Sequence, residues 1–253
     1  MKIINEYLQN VDKIEFSVTN ACTGKCRHCQ NGEPLNTNDI IRADTASETV
    51  EKICEYYDIK TVMTFGGEPL LYPGVVCSIH MAAAHAGVEN RQVITNGYFS
   101  KNAGYVKETV RRLSECGVND LLLSVDAFHQ ETIPLEPVLF FAECAVNEKI
   151  PIRLSPAWLV SEEDGNPYNV KTGEILQKFE YLHIPVGSGN VIFPSGNALK
   201  YLREYFDENT VKRSPYYEDP KDVRTVSVAA NGDVLNGNIN ETDIIDIMRA
   251  YRP

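Results

Sequence analysis

Strand-like and helix-like segments alternate along most of this 253-residue chain. The strand-like runs occupy residues 13–18, 60–65, 91–95, 120–125, 150–154 and 190–193. Apolar stripes at helical spacing occupy residues 46–57, 75–86, 103–116, 138–147 and 173–182. Repeated β-α units form a parallel sheet with right-handed crossovers. Six such units predict an α/β fold, a partial (β/α)6 barrel with parallel strands rather than a complete eightfold barrel.

The last part of the chain predicts a short extension of this barrel. Residues 224–228 and 233–235 flank Asn231-Gly232, a dipeptide typical of the two-residue turn of a β-hairpin. We expect a barrel domain over residues 1–221, with a hairpin and helix over 222–253 packed on the same domain. Residues 205–221 lack a clean period, and either cover the barrel mouth or form a plain surface connection.

Charge and hydropathy narrow the classes of partner. The net charge of −11 argues against a nucleic-acid partner, because a phosphate backbone is bound by a concentrated basic surface. No stretch reaches the length of a membrane span, and residues 1–10 lack the apolar core of a signal peptide. We therefore expect a cytoplasmic protein with no membrane partner. Seven cysteines without a secretory signal fit a reducing compartment.

Glycine-rich and polar clusters follow each predicted strand. In parallel sheets, functional side chains collect at the carboxyl ends of the strands. The clusters are Cys22 to Cys29, Gly66 to Pro69, Thr95 to Gly97, Ser124 to Gln130, Arg153 to Trp158, and Pro194 to Ala198. The sequence therefore predicts one site assembled from six loops.

Cys22, Cys26 and Cys29 have the spacing C-x3-C-x2-C just after the first predicted strand. Thiolates this close in sequence can converge on one soft metal centre, and a cubane iron–sulfur cluster with three cysteine ligands keeps one iron without a protein ligand. A zinc site is the alternative, but structural zinc usually needs a fourth ligand from a second Cys or His pair. The sequence has no such pair, and His28 is expected to lie too close to Cys29 to act as a co-ligand.

This cysteine triplet, followed by Gly66-Gly67-Glu68, resembles the motifs of the radical S-adenosylmethionine (radical SAM) enzymes over about residues 13–199. The resemblance implies one [4Fe-4S] cluster whose open iron binds the amino and carboxylate groups of SAM. It implies reductive cleavage of SAM to methionine and a 5′-deoxyadenosyl radical, which abstracts hydrogen from a small-molecule or peptide substrate. A flavodoxin or ferredoxin is the expected reductant. Lys25 and Arg27 flank the cysteines in an otherwise acidic chain, and either steer this carrier to the cluster or are two solvated charges.

The resemblance also suggests which residues contact SAM. Two glycines let the backbone approach a bound methionine, and a carboxylate can accept hydrogen bonds from its ammonium group. The expected cofactor contacts are Gly66, Gly67, Glu68, Asn96, Ser124, Asp126 and Arg153. For Arg153 the alternative is a salt bridge at the rim.

Other positions leave alternatives open. His129 is a candidate catalytic residue, since imidazole titrates near neutral pH, or else a surface histidine packed beside Gln130. Trp158 either lines the cavity or packs at a strand end. Asn197 departs from the arginine that many relatives have there, which leaves the contacts of the sixth loop open.

Two rival functions remain at this point. Within the same family, a glycyl-radical activating enzyme would bind a large partner enzyme. A non-catalytic iron–sulfur electron carrier or redox sensor would need the cysteines but not Gly66-Gly67-Glu68. The four remaining cysteines, Cys54, Cys77, Cys116 and Cys144, fall in helical patterns and are expected to be structural, so an auxiliary cluster is not expected.

Overall fold

A mostly parallel sheet forms the centre of the fold in a computed structural model, which describes residues 5–32, 39–206 and 217–253. The strands are β1 Lys13–Ser17, β2 Thr61–Phe65, β3 Asn90–Thr95, β4 Asp120–Ser124, β5 Ile152–Ser155, β6 Ala157–Trp158, β7 Asn190–Val191, β8 Thr225–Val228, β9 Asp233–Val234 and β10 Gly237–Asn238. Among the described residues, eight strands form the main sheet in the order β10-β9-β8-β1-β2-β3-β4-β5. Strands β8 and β1 to β5 are parallel, and β9 and β10 are antiparallel additions. This confirms the predicted α/β fold class.

Helices cover the outside of the sheet. They are α1 Ala43–Tyr56, α2 Pro73–His85, α3 Ala103–Glu115, α4 Ala127–Gln130, α5 Leu135–Asn147, α6 Pro167–Gln177, α7 Gly196–Tyr201 and α8 Ile244–Ala250. Side-chain caps fix several starts: Asn102 accepts a hydrogen bond from the Tyr105 amide at the start of α3. Fully buried Ile14, Phe16 and Phe141 lie in the core between the sheet and these helices.

Helix α6 begins and ends earlier than the predicted segment 173–182. The Asn166 side chain accepts hydrogen bonds from the Tyr168 and Asn169 amides, and Pro167 occupies the first helical position, where its missing N–H costs nothing. The helix ends at Gln177, and a separate short 3-10 helix covers Glu180–Leu182. The apolar stripe indicated a helix but not its cap.

The predicted sixth strand, 190–193, does not join the main sheet. Pro156 lacks an N–H and separates β5 from β6, so the chain forms a small two-stranded parallel sheet in which Ala157 and Trp158 pair with Asn190 and Val191. A single bridge between Leu154 and Val186 connects this segment to β5. The sixth parallel strand of the main sheet is instead β8, on the far side of β1.

The predicted hairpin is present as β8 and β9, and it extends the main sheet through the pairing of β8 with β1. The boundary between the barrel domain and the C-terminal hairpin and helix, expected between residues 221 and 222, stays a prediction. The expectation for residues 205–221 falls largely on 207–216, which lie outside the described residues. Of the helices described, none has both the length and the apolar character needed to cross a membrane.

Candidate cofactor site

A cavity opens at the carboxyl ends of β1 to β4. Eight of the residues predicted from the sequence line it: Cys22, Cys26, Cys29, Gly66, Gly67, Asn96, Ser124 and His129. The apolar side chains of Phe65 and Ile94 contribute to the same wall. Three other predicted residues, Glu68, Asp126 and Arg153, do not belong to this lining. The structure therefore brings the cysteine loop and the glycine loop to one place.

The thiols of Cys22 and Cys26 lie in an environment that disfavours free thiolates. Burial raises the pKa of Cys22 to about 11, and burial together with the nearby Asp126 carboxylate raises the pKa of Cys26 even further. None of the seven cysteines, all within the described ranges, is in a disulfide. A bound cation reverses this preference, because metal binding takes thiolates and releases their protons.

Gly66 and Gly67 hold the loop after β2, residues 66–69 (the second loop), against the loop after β1 that carries residues 22–29 (the cysteine loop). The Gly67 amide donates to the Thr19 carbonyl at 2.7 Å, and the Glu68 amide donates to the Ala21 carbonyl at 2.8 Å. A Cβ on Gly67 would lie 2.0 Å from the Ala21 carbonyl oxygen. Gly66 has a φ of +134°, which side chains rarely permit. These glycines are thus required by the protein's own backbone as well as placed along the cavity.

Glu68 lies beneath the cavity, fully buried. Its carboxylate accepts hydrogen bonds from the Leu70 amide at 2.9 Å, the Thr95 hydroxyl at 2.7 Å and the Asn96 amide at 2.8 Å. Burial raises the pKa of Glu68 to about 7 against the opposing effect of these hydrogen bonds. In this structure the carboxylate ties the second loop to the third.

Asn96 links the third loop to the cysteine loop. Its side-chain amide nitrogen donates to the Thr23 hydroxyl at 3.1 Å and approaches Cys22 Sγ at 3.7 Å. Its side-chain oxygen accepts a hydrogen bond from the Tyr98 amide at 2.8 Å, which fixes the orientation of the side chain. Asn96 is thereby held at the cavity wall beside a motif cysteine.

Asp126 and His129 form a pair at the edge of the cavity. Asp126 caps α4, and its Oδ2 lies 2.7 Å from His129 Nδ1. Burial alone would lower the pKa of His129, but the charge of Asp126 and the hydrogen bond to it raise that pKa. The Asp126 carboxylate, fully buried, also accepts a hydrogen bond from the Ala157 amide. Asp126 therefore orients His129, whose ring reaches the cavity.

Arg153 points to a different part of the sheet. Its guanidinium donates to Asp120 at 2.9 Å, and Asp120 is the first residue of β4, at the end of the strand opposite the cavity. The structure thus contains the salt bridge that the sequence offered as the alternative for Arg153. Trp158 is buried, and its indole N–H donates to the Ser188 carbonyl at 3.0 Å.

Gly196 and Asn197 make contacts that the sequence did not predict. Asn197 is 4% exposed; its side-chain amide donates to the Cys26 carbonyl at 3.2 Å and its backbone amide donates to the Cys29 carbonyl at 2.9 Å. A Cβ on Gly196 would lie 2.2 Å from the Gln30 carbonyl oxygen. The sixth loop therefore clamps the cysteine loop from outside. The dipeptide stood at a predicted strand end, but nothing in its spacing indicated the partner.

His28 lies close to one motif thiol. The ligand atoms of Cys26, His28 and His129 all lie within 4.8 Å of one another. This group contains neither Cys22 nor Cys29, so the expectation that His28 lies too close to Cys29 to act as its co-ligand stays a prediction. Burial lowers the pKa of His28 to about 4. By donor set alone, a zinc ion remains compatible with this group.

Comparison with known proteins decides between a zinc protein and an iron–sulfur enzyme. The model of the radical SAM superfamily matches residues 16–141, a span that contains the three motif cysteines, Gly66-Gly67-Glu68, Asn96, Ser124 and Asp126. This chain belongs to the radical SAM superfamily. The family uses a [4Fe-4S] cluster and SAM.

Curated relatives are GTP 3′,8-cyclases. The chain is 28% identical over 127 residues to that of Campylobacter fetus, covering 49% of this chain and 37% of the relative. It is 26% identical over 220 residues to that of Sulfurimonas denitrificans, covering 81% of this chain and 67% of the relative. The chain thus spans little more than a third of the former relative's length.

A solved radical SAM structure shares the fold. The structure of Streptococcus suis SuiB bound to S-adenosylmethionine matches 96% of this chain and 68% of its own, with a TM-score of 0.59 and 15% identity. SuiB has also been solved bound to its precursor peptide SuiA, with a TM-score of 0.53. At this identity the likeness supports the partial barrel rather than a substrate.

The cavity of this radical SAM protein fits the family's cofactors. Its donor set is three thiols on one loop, and burial opposes the ionisation of Cys22 and Cys26 unless a cation is bound. A Cβ on Gly66 or Gly67 would clash with residues 17–21, so only glycine lets the adjoining loop pack this closely beside the thiols. Cys22, Cys26 and Cys29 would therefore hold the cluster, with the glycine loop and Asn96 next to it.

Proposed function

We propose that this chain is an enzyme that binds one [4Fe-4S] cluster through Cys22, Cys26 and Cys29, cleaves SAM reductively and removes hydrogen from a small-molecule or peptide substrate. The observation that carries the proposal is the convergence of the three thiols and the Gly66-Gly67 loop on one cavity. An electron carrier would need the thiols alone. The cofactors, when bound, supply the electron and the hydrogen abstraction, and the protein supplies binding, orientation and shielding.

The residues around the cavity divide this work. The backbone carbonyl groups of Gly66 and Gly67 and the side-chain amide of Asn96 provide uncharged hydrogen-bonding groups for the amino-acid part of SAM. Ser124, at the end of β4, offers a hydroxyl for a ribose group. Phe65 and Ile94 keep part of the wall apolar, which limits water near the reacting atoms.

Glu68 and Asp126 support their neighbours in this proposal instead of contacting SAM. Glu68 accepts three hydrogen bonds from the second and third loops, and Asp126 orients His129. His129 is the candidate for contact with the substrate, since its Nδ1 is occupied by Asp126 and its ring borders the cavity. Arg153 has no part in the proposed cofactor contacts because its guanidinium binds Asp120.

The reductant is proposed to be a flavodoxin or ferredoxin that approaches the exposed side of the cysteine loop. Lys25 and Arg27 are exposed there, in a chain of net charge −11. Arg27 lies 3.0 Å from Glu131 and also donates to the Tyr168 hydroxyl, so its charge is partly compensated. Lys25 is the stronger candidate for steering an acidic carrier.

Anaerobically reconstituted protein, reduced in the presence of SAM, should release 5′-deoxyadenosine. Cys26→Ala should abolish the product, because the cluster loses a ligand. Cys54→Ala, in α1 and away from the cavity, should leave product formation intact. Equal product from the Cys26 variant would contradict the proposal. Calorimetric titration with SAM separates the enzyme from an electron carrier, which would show no binding.

A further inference from the structure

The ring of His28 is held in place beside one of the cluster ligands. Its centroid lies 5.1 Å from that of Phe128 and 4.8 Å from that of His129, with the two imidazoles nearly perpendicular at 71°. A ligand atom of His28 lies within 4.8 Å of both Cys26 Sγ and a ring nitrogen of His129. Aromatic contacts on two sides therefore fix where the ring nitrogens lie relative to the Cys26 thiol.

One of these nitrogens lacks a partner. His28 Nδ1 is buried and has no hydrogen-bond partner among the described residues, whereas His129 Nδ1 is paired with Asp126. Leaving a buried polar atom unpaired is costly, so native structures usually provide a partner. An imidazole carries at least one N–H in every protonation state. The tautomer with hydrogen on Nδ1 places that donor at the unpaired position.

We infer that His28 donates a hydrogen bond to sulfur at the Cys26 corner of the bound cluster and thereby raises the cluster's reduction potential. The inference rests on the proposed cluster and adds a tuning role for a side chain inside the motif. Hydrogen bonds to cluster sulfurs stabilise the additional negative charge of the reduced state. His28 is a positioning and tuning residue, since it acts through the cluster and not on the substrate.

The test is the midpoint potential of the reconstituted cluster, measured without SAM. His28→Phe keeps a ring against Phe128 but removes the N–H, so its potential should be more negative at unchanged iron content. His28→Gln restores an N–H donor and should recover part of the shift. His85→Phe, at an exposed position at the end of α2, is the matched control and should have the wild-type potential. A wild-type potential in His28→Phe overturns the inference.

A second measurement detects the hydrogen bond in the wild-type protein and uses a variant only to assign the signal. Wild-type protein with 15N-labelled histidine, reduced and studied by pulsed electron paramagnetic resonance, should show one weakly coupled imidazole nitrogen. That coupling should be lost in His28→Gln. No coupling, or a strong coupling typical of a nitrogen bound to iron, overturns the hydrogen bond. A wild-type protein that binds no cluster overturns the proposed function and this inference together, whereas an intact cluster with an unchanged potential overturns only the role of His28.

Discussion

The side-chain amide of Asn197 donates a hydrogen bond to the carbonyl of Cys26 at 3.2 Å, across 171 positions of sequence. The Asn197 backbone amide also donates to the Cys29 carbonyl, so one residue holds the peptides of two of the three motif cysteines. In the proposed function, these contacts would orient two cluster ligands before metal binds.

Asn197→Ala should weaken cluster retention. The variant removes one of two donors to the Cys26 carbonyl, which still accepts a hydrogen bond from the Cys29 amide, so the loss is that of a single hydrogen bond, about 0.5–1.5 kcal/mol. We expect iron to be lost to a chelator several-fold faster than from wild type, with the rate followed by visible absorption. Leu199→Ala, at an exposed position on the same helix, is the control and should lose iron at the wild-type rate. Equal rates of iron loss from Asn197→Ala and from wild type would contradict a role of Asn197 in cluster retention.

Gly67→Ala should separate the second loop from the cysteine loop. The added Cβ would lie 2.0 Å from the Ala21 carbonyl oxygen, so the backbone has to move. Overpacking of this kind costs typically about 1–3 kcal/mol. Urea unfolding should show that loss, and calorimetry should show weaker SAM binding. Gly173→Ala, in α6 with nothing within 4 Å of the new Cβ, should be neutral or stabilising by up to about 1 kcal/mol.

The cluster count should be one per chain. Replacing Cys22, Cys26 and Cys29 together by alanine should abolish iron binding in anaerobic reconstitution. The other four cysteines lie in or beside helices. In the C-terminal hairpin, Gly237 packs so closely on α8 that a Cβ there would lie 2.8 Å from Ile247, which leaves no space for a larger side chain at this position. Retention of about half of the wild-type iron by the triple variant would show a second cluster. Replacing Cys54 and Cys144 by alanine is the matched control and should leave the iron content unchanged.

The stability of the cluster-free protein should fall with decreasing pH, in part because of His80. Burial, with a smaller effect of Arg91, lowers the pKa of His80 from 6.5 to about 3. Between these values the unfolded state binds a proton that the native state does not, so the free energy of unfolding falls as pH drops from 6.5 toward 3. The contribution is at most about 1.4 kcal/mol per pH unit.

The variant His80→Gln tests this assignment. Glutamine cannot titrate and can still bond the Thr64 hydroxyl, which lies 3.0 Å from His80 Nε2. Urea unfolding at pH 7.5 and pH 5 should show a smaller pH-dependent loss in the variant than in wild type. The exposed His183→Gln serves as the matched control and should keep the wild-type dependence. Parallel curves for wild type and His80→Gln would contradict the assignment.

Reversing the charge at Lys25 should slow reduction by a flavodoxin or ferredoxin. The effect should be larger at low salt, because steering between exposed charges is screened by ions. Reduction by dithionite should not change, which separates docking from damage to the cluster. Lys221→Glu, also at an exposed position, is the control for net charge alone. An unaltered rate with the carrier would reject the proposed docking side.

The parts of the fold that sequence predicted well are those governed by local periodicity. Strand β2 and helix α3 lie within one residue of the predicted segments, since a buried strand and an amphipathic helix each leave a repeating pattern. The pairing of β8 with β1 was not predictable, because parallel partners far apart in sequence leave no local pattern. Glycine and cysteine spacing indicated the cavity. The Asn197 clamp and the orientation of Arg153 depend on tertiary contacts, which spacing does not encode.

The pairing of β8 with β1 has a consequence for the order in which the protein is made. Ser227 on β8 contacts Glu15 on β1, a separation of 212 positions, so one edge of β1 has no strand partner until residues 225–228 have left the ribosome. An unpaired edge with buried Ile14 and Phe16 beside it can pair with another chain during that interval. Synthesis that pauses before residue 225 should therefore favour aggregation over folding.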